Sequence, residues 1–375
     1  MSIRTVQRAG TPRRRLLAAA IPVAAAVLGA PAGASAADIQ FTGSTLQYLA
    51  AANETNNMRV FTEGTRVVVD DSVPIRSLTA QCTNIDPTRV SCATPSTIAA
   101  LLGNQNDSVF TQNSIPLIVD AGSGNDTYVG GIAQGASDVR FNGNIGTDKA
   151  DYGPSSTGVT VRKEAFANDG RPGDRDNISS DVEELLGSSF ADTLQGSDTA
   201  ATERYNGRGG DDVINGLGGP DAVDMGSAAD GADRVFLGAG TTDSVSYANR
   251  LNRVVVTANL FDNDDGEAGE RDTIRETERV TGGRGNDDLS TFGGTSTAMT
   301  MIGGLGADSL SGGAAGDTLI GNAGPDRYNG RAGNDTISAK DNELDTIFCG
   351  DGLLDIANRD VVEREVSLCE TGTVG

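Results

Sequence analysis

The sequence predicts an all-β fold: a parallel coil of short strands preceded by a small β domain. Three features of its 375 residues lead there. Asp, with an apolar residue two positions later, recurs in a nine-residue phase over much of the chain. Gly supplies 50 residues, well above its usual share of ~7%. Aromatic residues make up only 4%, so hydrophobic burial alone does not hold such a chain together. The 52 acids outnumber the 29 bases for a net charge of −23, and 38 of those acids are Asp. There is no His, which removes Ser-His-Asp, Cys-His and His-ligated zinc or haem chemistry. The charge sign disfavours binding to nucleic-acid phosphates.

Residues 1–36 read as a cleaved secretory signal. Arg4, Arg8, Arg13, Arg14 and Arg15 form a basic start, Leu16 to Ala30 is apolar, and Ala34-Ser35-Ala36 is a small-residue cleavage site. The apolar stretch is shorter than the ~20 residues of a membrane span, so the mature protein is expected to be extracellular, with no transmembrane segment. The four cysteines, Cys82, Cys92, Cys349 and Cys369, allow three connectivities. Their spacing favours local pairs, Cys82 with Cys92 and Cys349 with Cys369, and export favours disulfides. Asp86-Pro87-Thr88 is a turn between the first two.

Residues 37–115 have a more ordinary composition and read as a small N-terminal β domain. Val67-Val68-Val69, Leu78-Thr79 and Val109-Phe110-Thr111 are short β-type runs. Asp70-Asp71 reads as a turn, and Ala99–Leu102 as one helical turn. Nothing here suggests chemistry, and Tyr48 has no assigned role.

Residues 116–375 are a repeat. Gly303 to Ser338 contains four nonapeptides in register, GGLGADSLS, GGAAGDTLI, GNAGPDRYN and GRAGNDTIS. The same unit starts at Ala121, Gly207, Gly216 and Gly282, with looser copies centred on Asp138, Asp148, Asp192, Asp233 and Asp243. Residues about 143–196 and 238–291 are an internal duplication: Asp148, Tyr152 and Val159 recur as Asp243, Tyr247 and Val254. Acidic segments at Asp169–Asp176 and Asp262–Asp272 lack EF-hand spacing and read as solvated loops. Tyr128, Tyr205 and Tyr328 occupy the inward repeat position and read as core.

The glycines let six residues form a tight turn with inward carbonyls. Asp at the sixth position supplies a short carboxylate where Glu would overreach. The last three residues form a strand whose middle side chain enters the core. Two units close one coil, and stacking places Asp308 near Asp326 on one edge and Asp317 near Asp335 on the other. Two carboxylates at ~5 Å repel by roughly 3 kcal/mol at an effective dielectric constant near 20. A hard dication between turns turns that repulsion into coordination, and calcium suits irregular oxygen shells best.

These units resemble the RTX, or hemolysin-type, calcium-binding repeat, whose consensus is GGxGxDxUx. The resemblance implies a parallel β-roll with several Ca2+ ions held between turns two repeats apart. The ligands it implies are Asp308, Asp317, Asp326 and Asp335, with the carbonyls of Gly303, Gly304, Gly306, Gly312, Gly321, Gly324, Gly330 and Gly333. In-phase Asp126, Asp148, Asp192, Asp212, Asp221, Asp233, Asp243 and Asp287 join them. Ala315, Asn322 and Arg331 depart from the glycine pattern, which weakens some sites. After Ser338 the phase continues loosely through Asp345 and Asp355 toward a charged C-terminal cap, locked by a Cys349–Cys369 bridge. With no GxSxG or HExxH, the expectation is a non-enzymatic, calcium-binding protein, structural or adhesive at the cell surface. Its possible partners are cell-wall or extracellular polysaccharide, and the alternative is a carboxylate-dependent enzyme acting on such polysaccharide.

Overall fold

Each repeat places one apolar residue between two polar ones, so the chain runs as three-residue strands whose middle side chain turns inward. Ser309–Ser311, Arg327–Asn329 and Thr346–Phe348 are such strands, with Leu310, Tyr328 and Ile347 buried. A computed structural model describes residues 36–132, 135–164, 166–258, 263–291, 297–362 and 365–374. Residues 1–35 of the expected signal lie outside the described residues.

The described residues form strands and no helix, hence no helix long and apolar enough to cross a membrane. Consecutive repeats alternate between two faces. Ser309–Ser311 pairs in parallel with Arg327–Asn329, while Thr318–Ala323 pairs in parallel with Thr336–Ala339. Two repeats therefore make one coil, and the protein is an all-β parallel roll. One face is a 16-stranded sheet; the other is made of sheets of 7, 5 and 7 strands. The core between them is a single file of inward side chains, Leu310, Leu319, Tyr328 and Ile337 among them, each at most 1% exposed. Burying one such side chain contributes roughly 2 kcal/mol. Tyr128, Tyr205, Tyr152 and Tyr247 are core residues too.

The N-terminal strands begin as antiparallel hairpins, Ala37–Thr42 with Thr45–Leu49, Asn57–Glu63 with Arg66–Asp70 and Cys82–Asp86 with Arg89–Ala93. Pairing then turns parallel: Thr97–Leu101 lies beside Leu117–Ser123, and Ser108–Thr111 beside Thr127–Val129. Both sheets thus run unbroken past residue 115. The helical turn expected at Ala99–Leu102 is instead part of the strand Thr97–Leu101, flanked by Thr45–Leu49 and Leu117–Ser123. Pairing on both sides overrides the local preference of Ala.

Both expected disulfides form. Cys82 and Cys92 face each other across the hairpin whose turn is held by Thr88 N–H donating to Asp86 Oδ1 at 2.9 Å. Cys349, fully buried, joins Cys369. That bridge ties Glu365–Ser367 onto Thr346–Phe348 as the last strand of its sheet, beside the exposed side chains of Leu353 and Leu368. Closing a loop of 20 residues contributes about 3 kcal/mol in the chain-entropy account. Replacing Cys349 and Cys369 with Ser should lower the calcium-saturated melting temperature by several degrees and shift size-exclusion elution toward larger species. An unchanged melting temperature would show that the end of the roll does not depend on the bridge.

Candidate metal centre

The tight turns set the Asp side chains in two columns, and each column is a hydrogen-bonded ladder. The amide N–H of Asp308 donates to Asp326 Oδ1 at 2.8 Å, and that of Asp287 to Asp308 Oδ1 at 2.8 Å. Asp326 N–H in turn reaches Asp345 Oδ1 at 2.8 Å. On the other edge Met299 N–H donates to Asp317 Oδ1, Asp317 N–H to Asp335 Oδ1 and Asp335 N–H to Asp355 Oδ1, at 2.7 to 2.8 Å. Asp308 thus stacks on Asp326 and Asp317 on Asp335, 18 residues apart. The same ladder joins Asp126 to Asp148, Asp192 to Asp212, Asp212 to Asp233 and Asp221 to Asp243.

Except in Asp221, both of whose oxygens are unpartnered, one carboxylate oxygen is thereby spent on the neighbouring coil, and the other decides the chemistry. Oδ2 of Asp126, Asp148, Asp212, Asp221, Asp243, Asp308 and Asp335 is buried with no hydrogen-bond partner. Asp326 Oδ2 lies 3.4 Å from the Tyr328 hydroxyl. A buried carboxylate oxygen without a donor is costly unless a cation meets it. Main-chain oxygen stands close by. A Cβ built on Gly303 would meet Asp308 Oδ2 at 2.2 Å and the Gly321 carbonyl oxygen at 2.9 Å. On Gly330 it would meet the Cys349 carbonyl oxygen at 2.0 Å and Asp335 Oδ2 at 2.3 Å. At Gly303 and Gly330 the first glycine is therefore required by the space its own carboxylate and the next coil's carbonyl occupy. Among the described residues no three Asp, Glu, Cys or His side chains gather as a metal cluster; an ion here draws on carbonyls as well as carboxylates, the donor set calcium accepts.

The turns fall into two kinds. In those of Asp308, Asp326 and Asp335 the second and fourth residues have positive φ: Gly304 119° and Gly306 117°, Asn322 71° and Gly324 132°, Arg331 69° and Gly333 126°. Asn322 and Arg331 thus hold the turn without glycine. In the turns of Asp192, Asp287 and Asp317 neither position does. There the second residue closes on the carboxylate: Ser188, Gly283 and Gly313 N–H donate to Oδ2 of Asp192, Asp287 and Asp317 at 2.5 Å. Gly312 opens the closed turn of Asp317.

Residues 302–337 match the family model of the RTX calcium-binding nonapeptide repeat, in four copies. Residues 302–337 are thus an array of RTX-type repeats. These RTX repeats bind Ca2+ at multiple sites. No curated protein matches the chain.

The ladder reaches beyond the RTX match through residues that the nonapeptide phase does not mark. Glu183, Glu278 and Glu370 take rungs, accepting from the N–H groups of Asp148, Asp243 and Asp355 at 2.8 to 2.9 Å. At Glu183 and Glu278, where an insertion sets the next turn 35 residues on, Glu does not overreach; that these two are equivalents in the duplication was the available clue. Asp107, 19 residues before Asp126, accepts from Asn56 N–H and donates its own amide to Asp126. Asp71 is not a free turn residue but a buried acceptor for Tyr48 and for Asn57 N–H. Asp138, expected in phase, pairs instead with Arg175 at the surface.

The acidic segments are not solvated loops. Asp169 and Asp265 are buried and accept from two N–H groups each, Arg162 and Ile178 in one copy, Thr257 and Ile274 in the other. Asp176 and Asp272 receive the hydroxyls of Tyr128 and Tyr247. Asp272 also takes a rung from Asp233 N–H. Their carboxylates organise the loops from within, satisfied by amides and phenols.

Burial raises the column carboxyls, Asp308 and Asp326 to about 7, Asp335 to about 6 and Asp212 to about 8. The folded, calcium-free coil therefore binds protons that the unfolded chain has already released above about pH 4. Its stability falls as pH rises through these values. In chelator the melting temperature should be higher at pH 5.5 than at pH 8.5; with calcium the order should reverse, because the ion replaces the protons. Equal melting temperatures in chelator would contradict the buried columns. Gly321→Ala is a second check, since its Cβ would meet Asp326 Oδ2 at 1.9 Å. It should weaken calcium binding at least tenfold by titration, whereas the same change at exposed Gly269, with nothing within 4 Å, should affect stability through its φ of 107° and leave calcium affinity unchanged.

Proposed function

We propose that this protein is exported, that calcium folds its roll, and that the roll serves as a structural or adhesive element at the cell surface. The observation carrying this reading is the run of buried, unpartnered Oδ2 atoms along both columns in a chain whose RTX repeats bind calcium. The proposed ligands are Asp126, Asp148, Asp212, Asp221, Asp243, Asp308, Asp326 and Asp335, with carbonyls of the turn glycines. Asp233 stands in the same ladder. Export is supported by the basic and apolar start of the sequence and by two disulfides, which persist in oxidising compartments. The proposed organisation is a signal at 1–36, an N-terminal β segment at 37–115 that opens the stack, and the calcium roll at 116–375. The net charge of −23 fits a surface that meets cell-wall or extracellular polysaccharide through bound calcium.

Far-UV circular dichroism of the full exported chain tests the calcium dependence. Chelation should remove most β signal, and millimolar calcium should restore it; an apo spectrum and melting temperature equal to the calcium-bound ones would refute the reading. Asp326→Asn should cost calcium affinity in titration calorimetry, while Asp198→Asn, at an exposed position outside the ladder, should not. Equal losses would show that ligands do not follow the ladder. Retention of the calcium-loaded protein on insoluble cell-wall glycan, lost in chelator, tests adhesion.

A further inference from the structure

Two of the closed turns share an arrangement that the open turns lack. This inference rests on the calcium reading above and sorts the sites within it. Arg208 and Arg331 stand at the second position of their turns, with φ of 74° and 69°. Each belongs to the coil directly after a closed turn, because Asp192 N–H donates to Asp212 and Asp317 N–H to Asp335. Each guanidinium reaches back across that closed turn to the coil before it. Arg208 Nη1 donates to the Gly187 carbonyl at 2.9 Å and to Asp151 Oδ1 at 2.8 Å. Arg331 Nη1 donates to the Thr291 carbonyl at 2.7 Å.

Asp151 and Thr291 lie one position apart in the register: Asp151 pairs with Leu186, just before one closed turn, and Thr291 follows Ser290, which pairs with Ser311 just before the other. Each ends the strand that pairs with the one leading into the closed turn, Lys149–Asp151 beside Glu184–Leu186 and Asp288–Thr291 beside Ser309–Ser311. The same straddling cation has therefore been built twice, at distant points of the chain. In both places the carboxylate beneath it already has both oxygens occupied, Oδ1 by Val159 or Met299 N–H and Oδ2 by Ser188 or Gly313 N–H. Burial raises both carboxyls, and Arg208 pulls Asp192 down as Arg331 does Asp317. A dication at Oδ2 there would have to displace an amide donor that the open turns lack and approach a fixed guanidinium charge, an arrangement that disfavours it.

We infer that Asp192 and Asp317, though in phase with the nonapeptide, hold no calcium, and that Arg208 and Arg331 are built-in cations standing in for it at these two coil junctions. Arg331 is then not a blemish in a calcium site but the residue that makes its neighbour independent of the metal. Asp287 provides the contrast: its turn is closed, but Gly304 occupies the position equivalent to Arg331.

Equilibrium dialysis of the full chain against radioactive calcium counts ions bound per chain. Asp317→Asn and Asp192→Asn should keep the wild-type count, whereas Asp308→Asn, or Asp335→Asn should the first not fold, should lose at least one ion. Losses for Asp317→Asn and Asp192→Asn equal to those at Asp308 or Asp335 would overturn the inference while leaving the calcium reading intact. A wild type that binds no calcium would overturn that reading and this inference with it. A coupling test is independent of ion counting. Arg331→Met should lower the melting temperature in chelator by several degrees, and adding Asp317→Asn to the same chain should recover part of the loss. Strictly additive losses would overturn the pairing of the two residues.

Discussion

The roll depends on one repeated contact, a main-chain N–H of one coil donating to a carboxylate of the next. It fixes the register of the stack, because each Asp N–H finds its acceptor one coil on. It also buries a negative charge at every rung. Hydrophobic burial provides only one to three inward side chains per strand, so the ladder and the core are both needed, and the ladder is the part that carries an electrostatic debt. The second carboxylate oxygen is where that debt is met, in one of three ways. It faces a carbonyl-lined gap suited to a hard cation, it closes on its own turn amide, or it takes a Tyr hydroxyl. Whether a rung responds to calcium follows from which of these it has.

Backbone conformation and chemistry are linked through φ. In the turns of Asp308 and Asp335, positive φ at the second and fourth residues goes with an Oδ2 that has no donor; in the turns of Asp192, Asp287 and Asp317, which lack it, an amide is aimed at Oδ2. Glycine makes positive φ inexpensive but is not obligatory, as Asn322 and Arg331 show. At Gly303, Gly321 and Gly330 the first glycine has a different reason, steric rather than conformational, since a Cβ there would occupy the space of its own Asp.

Much of this was legible in the sequence because the repeat encodes it locally. The nine-residue phase placed Leu310, Leu319, Tyr328 and Ile337 in the core and stacked Asp308 over Asp326. Cysteine spacing matched the two bridges. What escaped was set by pairing across the chain rather than by neighbours in it. Asp107 and Glu183 take rungs only because distant strands bring them there. Asp169 and Asp265 read as solvated because their composition is acidic, yet main-chain amides draw them inside. Ala99 became part of a strand because it has partners on both sides. The difference between Asp308 and Asp317 was likewise hidden, since both sit at the same position of nearly the same motif.

The most direct measurement is a crystal structure of the calcium-loaded protein with anomalous scattering collected to locate the ions. The account places an anomalous peak at about 2.3–2.6 Å from Asp308 Oδ2, within reach of the Gly321 carbonyl oxygen and repeated along the open turns of both columns. A calcium-saturated structure with the ladder intact and no ion beside Asp308, Asp326 or Asp335 would contradict it.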